Sequence, residues 1–212
     1  MSKADYKWLD LPAEQVVTVA RSLLGWHLVG DGVTVRLTET EAYLGGGRDS
    51  ASHADRGRTP RNSVMFGEAG VAYVYYIYGA HYCLNVVCGQ PGDAAAVLLR
   101  AGEVVEGADI ARERRPTARA DRDLARGPGC LVRALGIGPE IYGTSLITGP
   151  VRLVPPARKV KAGQISAGPR VGVSSAHDYP WRFWLTDDPT VSSYKRHVPK
   201  RAPVSGPARA AR

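Results

Sequence analysis

The chain has 212 residues, 28 lysines and arginines against 20 acids, and a formal charge of +8. Hydrophobic residues at 44% and charged residues at 23% exclude wholesale disorder and a collagen-like repeat. The length suits one domain, or at most two small ones, and no apolar run approaches a membrane span. No apolar segment follows a basic start, so no secretory signal is visible and a cytoplasmic protein is expected. Cys83, Cys88 and Cys130 are odd in number and lack close-spaced partners, which speaks against a disulfide scaffold or a zinc site. The excess positive charge favours a polyanionic partner, nucleic acid first. A surface charge kept for solubility explains it equally well.

In chain order, Leu11 to Leu24 reads as a helix, with Asp10 as its cap, Pro12 in its first turn and Gly25 at its end. Val16, Val19, Ala20, Leu23 and Leu24 form its apolar stripe. Trp26 to Val29 reads as a strand, followed by a Gly30-Asp31-Gly32 turn and a second strand from Val33. Strand side chains alternate, so Val33, Val35, Leu37, Glu39, Glu41 and Tyr43 are expected on one face. That face begins as core and ends in two carboxylates and a tyrosine, and core faces rarely carry a glutamate without a partner or a purpose. Leu44 to Asn62 is a polar, irregular stretch containing His53; loops of this length are often functional. Val71 to Tyr78 and the run HYCLNVVCG form a tight hairpin with its tip near Gly79. Ala94 to Leu99 is another apolar run, ending at Arg100. Gly102 to Arg115 reads as a helix, and a further helix starts at or after Pro128 with Leu131, Val132 and Leu135 inward. Ser145 to Val154, Arg170 to Val173 and Trp181 to Leu185 are short strand candidates. From Lys195 the chain becomes basic, acid-free and rich in Pro and Ala, which reads as a flexible tail.

Several residue groups could carry chemistry. Six tyrosines (Tyr43, Tyr73, Tyr75, Tyr76, Tyr78 and Tyr82) fall between positions 43 and 82. Any one of them fits a strand-rich core. Tyr78, however, directly precedes the hairpin tip, where it could stack on a base or wedge between bases. Glu39 and Glu41, about 7 Å apart along a strand, fit a carboxylate pair for glycoside hydrolysis, a single water-activating base, or a solvated edge pair. His53 is either solvated or a ligand-contacting imidazole. No spacing supports a metal, a dinucleotide or a P-loop, so neither metal nor organic cofactor is expected. The arginines from 112 to 126 suit a solvated face as well as they suit phosphate binding.

Taken together, Thr38-Glu39-Thr40-Glu41-Ala42-Tyr43, Ser52-His53, Thr59-Pro60-Arg61-Asn62, Met65-Phe66, Tyr73-Val74-Tyr75, Ile77-Tyr78-Gly79, Cys83-Leu84-Asn85-Val86 and Ala96-Val97-Leu98-Leu99-Arg100 resemble the alkyladenine DNA glycosylases. Gly127-Pro128, Arg170-Val171-Gly172-Val173 and Arg182-Phe183 continue the match downstream. The resemblance spans roughly positions 10 to 195 and implies hydrolysis of the N-glycosidic bond of alkylated purines flipped out of duplex DNA. It implies that Glu41 is the general base, with Arg100 and the Val171 carbonyl helping to hold the water. It implies that Tyr43, His53 and Tyr75 wall the base pocket, that Asn85 opposes the exocyclic amine of guanine, and that Tyr78 fills the gap left in the duplex. Gly129-Cys130 departs from the Ser-Lys-like pair expected in relatives, and the loop from Gly45 to Arg56 is idiosyncratic.

The expected architecture is one α+β domain over residues 1–194, with a curved, largely antiparallel sheet, flanking helices and a tyrosine-tipped hairpin. Residues 195–212 would be a basic tail acting as an electrostatic tether. Double-stranded DNA is the expected partner, for a monomer with no membrane association. The lysines at 3, 7, 159, 161, 195 and 200 all lie far from the Glu41 and tyrosine segments in sequence, so a monofunctional enzyme without a Schiff-base lyase step is expected. Two other classes fit some of the signals. One is a non-catalytic nucleic-acid-binding domain with a tyrosine stacking platform; the other is a carbohydrate-active hydrolase using Glu39 and Glu41.

Overall fold

The computed structural model describes residues 3–77, 79–194 and 196. Eight strands form one sheet: β1 (His27–Gly30), β2 (Val33–Leu44), β3 (Ala72–Ile77), β4 (His81–Cys88), β5 (Ala95–Glu106), β6 (Arg152–Val154), β7 (Ile165–Gly168) and β8 (Arg182–Leu185). Their order is β3-β4-β5-β2-β1-β6, with β8 joined to β2 and β7 to β8, and every pairing is antiparallel. Three short helices flank the sheet: α1 (Val16–Ser22), α2 (Ala108–Arg114) and α3 (Pro128–Ala134). This is the expected α+β class. Among the described residues no helix is long and apolar enough to cross a membrane, and the three cysteines are free thiols.

The β3–β4 hairpin follows the alternation of its sequence, with Tyr73 opposite Asn85 and Ile77 opposite His81. Gly79 at its tip takes a left-handed backbone (φ +64°), which only glycine adopts at little cost. Tyr78 lies outside the described residues, as does the expected tail apart from Arg196.

Helix α1 is shorter than the expected span. A 3-10 turn over Ala13–Gln15 precedes it, and Asp10 ends an earlier 3-10 segment rather than capping a helix. The apolar stripe is nonetheless in place, with Val16, Val19, Ala20, Leu23 and Leu24 all at most 2% exposed. Each such valine or leucine contributes about 1.5–3 kcal/mol of burial free energy. The Thr40 hydroxyl donates to the Ala20 carbonyl at 2.9 Å and ties the helix to β2.

Strand β2 corrects the expected alternation. Val33, Val35 and Leu37 belong to the main core, but so do Ala42 and Leu44. The parity changes at a double bulge between Leu37 and Thr40, where β2 carries one extra residue against β5 and β5 then one extra against β2, so the register on either side is the same. An extra residue bends its strand locally and shifts the alternation beyond it by one. Glu39, Glu41 and Tyr43 therefore lie opposite Val33, Val35 and Leu37 rather than beside them.

Strand β5 overturns the helix expected from Gly102. The strand runs on to Glu106, and α2 starts only at Ala108. Gly102 is no breaker here: a Cβ on it would run into Val35 Cγ1, so glycine permits close contact with β2. The β-branched Val104 and Val105 favour the extended form beyond it. Helix α3 starts at Pro128 as expected, and Leu131, Val132 and Leu135 are at most 1% exposed. Ser145 to Val154 yields only β6 as a strand, Arg170 to Val173 is not a strand, and β7 is an element the alternation did not indicate. The arginines after position 112 mostly serve the fold. Arg112 pairs with Asp121, Arg114 with Asp31, and the Arg115 Nε donates to the Leu124 carbonyl.

Candidate active site

The face of the sheet that carries Glu41 and Tyr43 borders a cavity of about 570 Å³, within the range of small-molecule sites. Strands β3, β4 and β5 contribute Tyr73, Tyr75, Asn85, Leu98 and Arg100 to its wall. The stretch after β2 brings His53, the segment after β7 brings Val171, and the start of α3 lies at its rim. Glu41 is the only carboxylate among the lining residues, whereas Arg100, Arg115 and Arg133 are all there.

Glu41 is fully buried. Its Oε1 accepts the Val171 N–H at 2.8 Å and its Oε2 accepts the Tyr43 hydroxyl at 3.0 Å. The Arg100 Nε stands 3.6 Å from the same Oε1. Burial, then the neighbouring Glu41 charge, pushes the Tyr43 phenol well above the usual tyrosine range, so it remains a donor. Burial opposes the Arg100 charge, but the carboxylates of Glu41 and Glu39 more than offset it and raise its pKa.

Three aromatic groups meet on one wall. His53 Nδ1 and the Tyr73 hydroxyl share a hydrogen bond at 2.8 Å, and His53 meets Tyr75 edge-on at 4.6 Å between ring centres. Tyr73 and Tyr75 lie 5.5 Å apart. Burial pushes Tyr73 up to about 12 and Tyr75 well above the ordinary value. Asn85, 3% exposed, donates through Nδ2 to the Tyr73 carbonyl at 3.0 Å and is thereby fixed in orientation. Tyr76 and Tyr82 face away from this wall and pack against each other at 4.9 Å with their rings tilted, as the alternation of β3 and β4 requires.

Desolvation, with the Arg61 charge behind it, lowers the His53 pKa. The folded protein therefore takes up this proton at a lower pH than the unfolded chain does, and the unfolded chain gains protons first as pH falls below about 6.5. Wild type should lose thermal stability between pH 7.5 and 5.5, and His53→Gln should lose less over the same interval. Equal losses in a melting-temperature comparison would remove His53 from the account.

Two buried groups hold this wall in place. Arg170 and Asp49 form a bidentate pair, Nη1 to Oδ2 at 2.6 Å and Nη2 to Oδ1 at 2.7 Å, with no side-chain exposure on either partner. Arg170 also donates to the Ala42 carbonyl at 2.9 Å, and its guanidinium lies 4.6 Å from the Tyr43 ring centre and 5.3 Å from that of Trp181. Its hydrogen bonds run to Asp49 and Ala42 across the fold, and the backbone beside it turns at Gly172 (φ +71°) instead of forming the expected strand. Asn62, 2% exposed, donates to the carbonyls of His53 and Gly57 at 2.7 and 3.0 Å and closes the stretch on itself.

The structure thus brings Glu41, Tyr43, His53, Tyr75, Asn85, Arg100 and Val171 round one cavity. Tyr78 lies outside the described residues. Glu39 does not reach the cavity. Its carboxylate is occupied by Arg100, Arg182 and Ser192, which removes the carboxylate pair required by the carbohydrate-hydrolase reading. Sequence reasoning missed Asp49 and gave Tyr73 no role. An aspartate in a Gly- and Arg-rich stretch carries no local mark of a partner 121 positions away.

Residues 10–189 match the family model described as methylpurine-DNA glycosylase (MPG). The chain belongs to that family. A protein of Nocardia farcinica is 55% identical over 201 residues, covering 92% of this chain and 93% of the relative. One of Streptomyces avermitilis is 49% identical over 197 residues, covering 89% and 92%. One of Mycobacterium tuberculosis is 46% identical over 196 residues, covering 90% and 94%. Each of the three is named, provisionally, a 3-methyladenine DNA glycosylase. Family membership makes the chain a DNA-repair glycosylase, a hydrolase whose substrate is DNA, in agreement with the resemblance read from its motifs.

Proposed function

We propose that the chain removes alkylated purines, 3-methyladenine and 7-methylguanine first, from duplex DNA and leaves an abasic site. The observation that carries this reading is the lone cavity carboxylate of Glu41, buried and gripped by the Val171 N–H and the Tyr43 hydroxyl. Glu41 takes a proton from a water molecule as the water oxygen bonds to C1′ of the sugar. The bond from C1′ to the purine nitrogen breaks, and its electron pair leaves with the base. The Glu41 charge stabilises the oxocarbenium-like sugar between these events, and Arg100 and the Val171 carbonyl help hold the water.

Selectivity begins with the lesion's own chemistry. An N-alkylated purine is cationic and already a good leaving group. The faces of Tyr43 and Tyr75 favour it over a neutral base by cation–π attraction, about 0.5–2 kcal/mol per contact. His53, neutral when its pKa is lowered, hydrogen-bonds beside them. Asn85, locked by the Tyr73 carbonyl, stands against the exocyclic amine of normal guanine. Tyr78 wedges into the gap in the duplex, and damaged pairs cost less to open. Hypoxanthine and ethenoadenine, which leave as neutral bases only after protonation, are secondary substrates.

Among the described residues no lysine lines the cavity, which supports a monofunctional enzyme without a Schiff-base step. The chain acts as a monomer, the three free thiols suit a reducing cytoplasm, and the basic segment 195–212 serves as a tether to DNA. Base release from methylated duplex, without borohydride-trappable protein–DNA adduct, is the expected result. A trapped adduct would overturn the monofunctional mechanism. Tight binding without release would favour the tyrosine stacking module.

A further inference from the structure

We infer that Glu39 is a positioning residue for the reaction, setting how strongly Arg100 engages Glu41 without itself touching the cavity. Glu39 is fully buried and is absent from the cavity wall. Its Oε1 accepts the Arg100 Nε, the Arg182 Nη1 and the Ser192 hydroxyl, each at 3.0 Å. Its Oε2 accepts the Ser192 N–H at 2.8 Å. The same Arg100 Nε lies 3.6 Å from Glu41 Oε1 and 3.2 Å from the Ser192 hydroxyl. Arg100 is therefore shared between two carboxylates, nearer to the one that does no chemistry.

The four charges balance, two arginines against two glutamates, as a buried cluster must. The division of Arg100 between them depends on Arg182, which donates to the same Glu39 oxygen as Arg100 and rests its guanidinium 4.2 Å from the Trp184 ring centre. With Glu39 neutral, Arg100 turns wholly to Glu41 and weakens it as a proton acceptor. With Arg182 neutral, Glu39 holds Arg100 harder and Glu41 becomes the stronger acceptor. The other groups facing Glu41 are Tyr43 on its own strand, Tyr75 on β3, Cys83 on β4, and Arg170 and the Val171 N–H beyond β7. Burial keeps both phenols and the thiol protonated, the thiol at about 11. None of these groups changes charge between pH 5 and 8 as Glu39 or Arg182 is altered.

The inference rests on the reading of Glu41 as the water-activating base. The test is the pH dependence of single-turnover base release from methylated duplex by wild type, Glu39→Gln and Arg182→Gln, with thermal unfolding recorded for each. Glu39→Gln should move the acid limb to lower pH by about half a unit or more. It should also lower the plateau rate about tenfold, the scale on which a small displacement of a catalytic group acts. Arg182→Gln should move the limb the opposite way. A merely structural role lowers stability and leaves both limbs where they were, and that result in folded variants overturns the inference. If Glu39→Gln does not fold, the direction of the Arg182→Gln shift decides alone. A wild type that releases no base overturns the reading of Glu41 instead, and the inference with it.

Discussion

Glu41→Gln is expected to abolish base release, by about 10²–10⁴-fold, while leaving affinity for the lesion duplex nearly intact. Glutamine keeps the length of the side chain and can still accept the Val171 N–H or the Tyr43 hydroxyl, the two bonds that fix Glu41 at 2.8 and 3.0 Å. It cannot take a proton from water, and it offers no charge to the oxocarbenium-like sugar. The tyrosine wall, which grips the flipped base, is left untouched. Rates measured with enzyme in excess, beside binding to the same duplex, separate the two effects. Wild-type release rates in the variant would strip Glu41 of its catalytic role and favour a pure binding module.

The second large effect concerns a residue with no place in the chemistry. Asp49→Ala should cost about 3–5 kcal/mol, because it leaves the Arg170 guanidinium buried without a counter-charge. At about 2–4 °C per kcal/mol for a chain of this length, the melting temperature should fall by about 6–20 °C. Asp49 also accepts the N–H groups of Leu44 and Ala51, each at 3.2 Å, so the turn after β2 loosens with it. Adding Arg170→Met should recover much of the loss by removing the stranded charge. Activity should stay low even in the stabilised double variant, since Arg170 carries the backbone that presents the Val171 N–H to Glu41. A single variant melting within a degree or so of wild type would refute the importance of the pair.

These effects mark where sequence reading succeeds and where it stops. The β3–β4 hairpin was legible because period-two alternation and a left-handed glycine are local signals. Glu41, Tyr43, His53, Tyr75 and Asn85 were legible because their motifs stand in the same order as those of a known family. The β2 bulge was not legible: Thr38-Glu39-Thr40-Glu41 is a run of polar residues that marks neither face, and the bulge exists only in the pairing with β5. The true end of β5 was hidden by Gly102, which reads as a breaker and instead makes room for Val35. Glu39 stayed open between a carboxylate pair and a solvated edge charge because its partners, Arg182 and Ser192, lie 143 and 153 positions away. Long-range charge pairing leaves no trace in local spacing.

The bulge in β2 also ties heredity of function to heredity of fold. A β2 that kept every residue but lost the bulge near Thr38 would alternate strictly throughout and turn its second half over. Ala42 and Leu44 would then point at the substrate, and Glu41 would be driven under α1 among aliphatic side chains. A chain so altered could not persist as an inert but folded relative, because a lone carboxylate in that core is too costly to keep. Lineages carrying this strand therefore keep or lose the carboxylate's address together with the fold itself.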